Sequence, residues 1–185
     1  MSGQTCAVAA MSCEMLMVIG TWLLVIGTLG AVVFQVAYMR RALNADTFSR
    51  MTNRWDAPAM RGRRKRLATE LRAEKLMAVA PASIDEVLDF FEDLGTVLRE
   101  GWLPIRSVWQ SFSTDARHYW AACGQYVTDK RNEYQDQTYF SEFDYLVQRL
   151  TKEEASRRNT TKEKVAITSK MCDDFLQQES LLEES

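Results

Sequence analysis

Residues 15–39 read MLMVIGTWLLVIGTLGAVVFQVAYM, 25 consecutive positions without a charged side chain and with Gln35 as the one strongly polar residue. At about 1.5 Å rise per residue, a helix of that length covers roughly 37 Å, more than the ~30 Å hydrocarbon core of a bilayer. Backbone groups inside lipid must bond within their own segment, and a helix does this. The stretch therefore reads as a membrane-spanning helix, which makes the lipid bilayer the first expected partner. A cleaved signal peptide is disfavoured, because residues 1–14 contain no Lys or Arg and the apolar run exceeds the usual 7–15 residues. A core helix of a soluble protein seldom runs so far without a charge. Glu14 precedes the span, whereas Arg40, Arg41, Arg50 and Arg54 follow it. The positive-inside rule then expects a single-pass protein of the cell membrane with its C-terminal part in the cytoplasm.

Four segments follow from this reading. Residues 1–14 form a short extracytoplasmic tail, 15–39 the span, 40–150 a helical cytoplasmic domain, and 151–185 a polar linker with a weakly helical tail. Charge is unevenly spread although the net charge is only −2. Residues 40–80 hold 11 Lys and Arg against 4 Asp and Glu, and residues 81–101 hold 1 against 6. The four cysteines (Cys6, Cys13, Cys123, Cys172) have no metal-ligand or redox spacing.

The domain reads as all-α, since no stretch alternates with period two. Phe48, Met51 and Trp55 share one helical face, so the span is expected to continue as a stalk until Asp56-Ala57-Pro58 breaks it. A second helix opens at Pro58 and is expected to reach about Val79. Ser83-Ile84-Asp85-Glu86 has the form of a capping box before a third helix. Ile84, Val87, Leu88, Phe91, Leu94 and Leu98 keep one apolar face along it, and Gly101 suits its C-terminal cap. A short fourth helix from Pro104 and a fifth capped by Ser113 or Thr114 are expected next, with 131–138 as a loop. A sixth helix carries Phe140, Phe143, Leu146, Val147 and Leu150. The polar run 151–164 reads as a solvated linker, and 165–178 as a weak helix through Ile167, Met171 and Phe175. This gives a bundle of about five helices beyond the stalk. Phe91, Leu98, Trp109, Trp120 and Phe143 are expected to pack together.

Few residues carry chemistry. There is no Gly-rich phosphate loop, Gly-x-Ser-x-Gly elbow or Cys-x-x-Cys, so the sequence implies no catalytic residue, no metal site and no cofactor. His118 is the only histidine, and Arg117 and Tyr119 beside it form no nucleophile–base set. The carboxylates of 85–93 read as a wet helix face, except Glu92, which borders the apolar stripe. A half-buried Glu needs a cation or donors, so Glu92 with Arg99 or Arg131 is a candidate structural ion pair. Arg61, Arg63, Arg64, Lys65 and Arg66 form the densest charge cluster. A straight stalk over 40–56 would hold them roughly 25 Å from the bilayer, beyond the ~8 Å Debye length of physiological salt. Docking on the acidic third helix or on a protein partner is therefore preferred over contact with an anionic surface. Nucleic acid is disfavoured, because no stacking aromatics interleave with these cations. Within the span, Gly20, Gly27 and Ala31 offer a close helix–helix approach and hence a homo-oligomer.

One further pattern runs through the domain. Phe90, Phe91, Glu92, Gly95, Arg99 and Gly101 are followed by Tyr119-Trp120, with Trp55 before Asp56 and Pro58, and with Arg131 after them. Over roughly residues 40–150 this resembles bacterial proteins grouped as domain of unknown function 4760. The resemblance implies one N-terminal membrane helix and a small helical domain, and it implies no activity. The chain after Leu150 lies outside it. The expected function is a membrane-anchored interaction or regulatory module. The competing expectation is a membrane-bound enzyme acting on a lipid or nucleotide through the Arg cluster and Glu92.

Overall fold

The computed structural model describes residues 3–73 and 81–183, with side chains described from Met15 (Leu16 aside) to Ala73 and from Ile84 onward. Among these residues there are six α-helices, one 3-10 turn and no strand. The helices are α1 (Gly3–Trp55), α2 (Pro58–Arg72), α3 (Pro81–Arg99), α4 (Ile105–Tyr134), α5 (Ser141–Arg157) and α6 (Ser169–Glu179), with the 3-10 turn at Glu163–Val165. The chain divides into two units, Met1–Leu43 and Asn44–Ser185. In the first unit, α1 is a helix long and apolar enough to cross a membrane, and its apolar window is not buried in the structure. The second unit holds the core.

Helix α3 is the centre of that core. Ile84, Val87, Leu88, Phe90, Phe91, Leu94 and Leu98 are all buried, an arc wider than the single stripe expected. The addition is Phe90. Its ring lies 4.6 Å from that of Trp55 and 5.7 Å from that of Phe112, so α3 is covered on this side by the last turns of α1 and by α4. Phe48 and Met51 pack against the same core, and α1 ends at Trp55 as the Asp56-Ala57-Pro58 break requires. On the other side of α3, Phe91 stacks on Phe143 of α5 at 4.8 Å, and Trp120 meets Phe143 edge-on at 5.0 Å. Phe91, Leu98 and Phe143 are buried, while Trp109 and Trp120 are half-buried at the edge of this core.

Two glycines set the ends and spacing of α3. Gly101 has φ +72, and the amides of Gly101 and Trp102 donate to the carbonyls of Leu98 and Val97. That pattern is a Schellman cap, whose left-handed residue favours glycine. Gly95 sits where α3 crosses the start of α5. A Cβ placed there would overlap the backbone carbonyl of Glu142, so only glycine permits this approach.

Several boundaries differ from the sequence reading. The fourth and fifth helices are one helix, α4, because Phe112, Ala116, Tyr119 and Cys123 continue a single buried face through Ser113 and Thr114. Ser113 is buried in mid-helix rather than capping one. Helix α3 begins at Pro81, so Ser83 lies within its first turn, and the Ser83 side chain falls outside the described residues. Helix α2 is described to Arg72, and Leu76 and Val79 likewise fall outside. The stretch 151–164 is not a plain linker: α5 continues to Arg157 with Glu154 and Ala155 buried. The last helix packs through Phe175, Leu176 and Glu179, whereas Met171 is exposed.

Glycine-to-alanine exchanges should separate by environment. Gly95→Ala should lower stability by about 1–3 kcal/mol through overpacking, and Gly101→Ala by about 1–2 kcal/mol through its left-handed backbone. Gly124→Ala lies on α4 with open space around it, and should be neutral or stabilising by up to ~1 kcal/mol. Thermal midpoints of the full chain in detergent measure all three. Equal midpoints for Gly95→Ala and Gly124→Ala would refute the close α3–α5 approach.

Candidate functional site

Two polar centres are built into the helical unit. The first joins α3 to α5. Phe140 precedes α5 in a left-handed conformation (φ 56), and its side chain makes no capping hydrogen bond. The orphan amides of that helix start are taken by Glu92 instead. The Glu142 amide donates to its Oε1 at 3.1 Å and the Phe143 amide to its Oε2 at 2.6 Å. A carboxylate there also meets the positive end of the helix dipole. Burial pushes the Glu92 carboxyl above its usual range, and the two amides oppose that rise.

Glu92 is thus held by backbone amides, not by the guanidinium expected from sequence. Arg99 pairs with Glu142 and lies over the Tyr145 ring at 4.1 Å. Arg131 donates to the Tyr139 carbonyl at 2.9 Å and the Phe140 carbonyl at 3.5 Å, holding the loop that enters α5. Glu92, Gly95 and Arg99 occupy one face of α3, and all engage the first turns of α5.

The second centre lies among α1, α2, α4 and α6. Arg64, 7% exposed, points its guanidinium at Glu179, 6% exposed. Nε donates to Oε2 at 2.8 Å and an Nη nitrogen to Oε1 at 2.6 Å, a bidentate pair. The Tyr119 hydroxyl donates to the same carboxylate at 2.6 Å. The guanidinium carbon lies 4.1 Å from the centre of the Trp55 ring, a cation–π contact. Trp55 in turn donates its indole N–H to Asp115 at 2.9 Å. Burial alone would lower the affinity of Arg64 for its proton, but the bonds and charge of Glu179 overcome this and raise it. Burial pushes Asp115 up to about 6; Arg64 and the Trp55 indole oppose this, and the Glu179 charge adds to it. Removing one partner of such a buried pair typically costs about 3–5 kcal/mol, because the other charge is left uncompensated.

The rest of the basic cluster is dispersed. Arg63 pairs with Glu86 of α3 at the surface, as Arg54 does with Asp93 at 2.5 Å, and exposed pairs of this kind contribute under about 1 kcal/mol. Arg61 and Lys65 are half-buried, and Arg66 is exposed. His118 Nδ1 lies 2.6 Å from the Thr114 carbonyl, and its ring stacks on Phe175 at 4.7 Å. Burial lowers its pKa, favouring the neutral ring. Burial likewise pushes the Cys123 thiol up to about 12, far from a reactive thiolate. In the first unit, a Cβ at Gly20 or Gly27 would meet nothing within 4 Å, and Ala31 is exposed. Among the described residues, no cluster of His, Cys, Asp or Glu has the arrangement to hold a metal ion.

Sequence reasoning singled out Glu92 and the Arg cluster but missed Glu179, Asp115 and the polar side of Tyr119. Glu179 did carry a signal. It stands four residues after Phe175, on the apolar side of its helix, which is the same signature that drew attention to Glu92.

Fold and centres together define a small all-α domain that follows an apolar helix and is organised by buried carboxylates. The chain belongs to the family described as Domain of unknown function (DUF4760), whose model matches residues 25–150. No curated protein and no solved structure matches the chain. Trp55, Arg64, Glu92, Asp115 and Tyr119 lie inside the matched segment, and Glu179 lies beyond it.

The Asp115 carboxyl makes stability depend on pH. Natively it holds its proton up to about pH 6, whereas an unfolded Asp releases it near 4. The native state therefore loses stability as pH rises through this window, by up to ~1.4 kcal/mol per pH unit. Asp115→Asn keeps an acceptor for the Trp55 indole and should remove that slope. Thermal midpoints of wild type and variant, measured from pH 4 to 7.5, should converge at low pH and favour the variant above pH 6. A constant difference across the range would assign the titration elsewhere.

Proposed function

We propose that this chain is a membrane-anchored helical interaction module whose cytoplasmic bundle engages a protein partner and does not turn over a substrate. The observation that carries the reading is how the ionisable side chains of the bundle are used. Glu92 caps α5, Glu179 binds Arg64 and Tyr119, and Glu154 accepts the Trp109 indole N–H at 2.7 Å and pairs with Arg158 at 2.5 Å. Each is committed to holding helices together. The competing enzyme reading needs the Arg cluster and Glu92 in one site. Arg63 engages α3, Arg64 engages α6, and Glu92 engages α5, so their contacts give that reading no support.

Anchoring is supported by the uncharged run 15–39 and by its exposure along α1. A core helix would bury that surface, and lipid is the solvent that suits it. Arg40 and Arg41 directly after the run favour a cytoplasmic bundle. Gly20, Gly27 and Ala31 supply a surface on which a second copy can pack within the bilayer.

Three measurements test this reading. After alkaline carbonate extraction the full chain should stay with the membrane fraction, and its release would remove the anchor. A reporter active only in the cytoplasm should work when fused after Ser185, while activity of a reporter that works only outside would reverse the orientation. Photocrosslinkers at exposed bundle positions such as Arg66 and Arg106 should give discrete adducts in native membranes, and these should vanish in a Gly95→Leu variant. Adducts that persist in that variant would count against a folded docking surface.

A further inference from the structure

The Arg64 centre is divided between two parts of the chain. Trp55, Arg64, Asp115 and Tyr119 belong to the family-matched segment, whereas the carboxylate that completes it comes from α6, beyond residue 150. Helix α6 is also short, and it reaches its seat through a mostly exposed connection. It has 11 residues, of which Phe175, Leu176 and Glu179 are buried. Helices this short are marginal in water without a surface to lie on. Between Arg158 and Thr168, Val165 is the one fully buried residue. No basic residue stands in the last turn of α6, where Glu179 is placed against the negative end of the helix dipole. Glu179 thus disfavours its own helix locally and is compensated by Arg64 and the Tyr119 hydroxyl. The other side chains of the seat are held by aromatic packing within the matched segment. Trp55 is fixed between Phe90 and Phe91, Tyr119 packs on Phe91, and Arg64 lies over Trp55.

We propose that Trp55, Arg64 and Tyr119 form a recognition site for the carboxylate of an acidic amphipathic helix, and that α6 is its resident, displaceable occupant. The partner is another protein that presents an aromatic-leucine pair followed three residues later by Glu, the pattern of Phe175, Leu176 and Glu179. The carboxylate meets the guanidinium fork and the tyrosine hydroxyl, and the aromatic side chain takes the place of Phe175 against His118 and Tyr119. This inference rests on the interaction-module reading and names the chemistry of its partner.

The test uses the full chain in nanodiscs and a fluorescent peptide of residues 165–183 as the probe. Glu179→Arg sets two cations against each other and should release α6. That variant should bind the peptide at least tenfold more tightly than wild type, whose own α6 competes. Changing the peptide's Glu179 to Gln, or adding Arg64→Gln to the chain, should each weaken binding tenfold or more. Hydrogen exchange on wild type provides an independent measurement: amides 169–179 should exchange well before those of α3. Protection of α6 equal to that of α3, or collapse of the whole bundle in Glu179→Arg, would make α6 an integral helix and overturn the proposal. So would equal peptide affinity in wild type and variant. Dimers that form when Glu179→Arg and Arg64→Glu chains are mixed, with no peptide present, would overturn the partner reading in favour of a second copy. If crosslinked adducts persist in native membranes while the peptide fails, only the site falls and the module reading stands.

Discussion

The bundle depends on how α5 is seated on α3. A helix start without its own cap must find acceptors for its first amides, and Glu92 supplies both. The carboxylate can reach them only if the two backbones come close, and Gly95, one turn further along α3, allows that approach. Arg99 then fixes Glu142 from the same face, and Arg131 holds the loop at Tyr139 and Phe140. With α5 placed, Phe143 falls onto Phe91 and Trp120, and the central aromatic layer closes. The spacing of Glu92, Gly95 and Arg99 is thus a contact surface written along one helix face.

The uneven charge of the sequence resolves in the same manner. The basic segment and the acidic third helix meet through Arg54 with Asp93 and Arg63 with Glu86, modest surface pairs that orient α1 and α2 on α3. Arg64 differs from its neighbours only by helical phase. Its position on α2 turns it inward, beside Met60, Leu67 and Ala68. There a guanidinium must have a carboxylate, and the chain brings one from 115 residues away. The second centre therefore ties the far end of the chain to its beginning, and α6 lies where it does because of it.

The two units use their apolar residues differently. Between Met17 and Met39 the large apolar side chains are exposed, while from Phe48 onward the apolar face turns into a protein core. The change occurs within one helix and needs no break, because an α-helix presents whichever face its sequence makes apolar.

The sequence by itself determined the apolar helix, its end at Asp56-Ala57-Pro58, the all-α class, most of the inward faces of α3, α4 and α5 (Phe90 aside), and the glycine cap at Gly101. These follow from local rules of period, proline geometry and backbone sterics, which act within a few residues. It also marked Glu92 as a carboxylate in need of donors. Tertiary structure alone decided that the donors are the amides of Glu142 and Phe143, that Ser113 and Thr114 do not interrupt α4, and that Arg64 of the basic cluster pairs with Glu179. Each of these depends on which distant backbone or charge arrives at a given face once the helices pack. Side-chain periodicity says that a face is buried, but not what it is buried against.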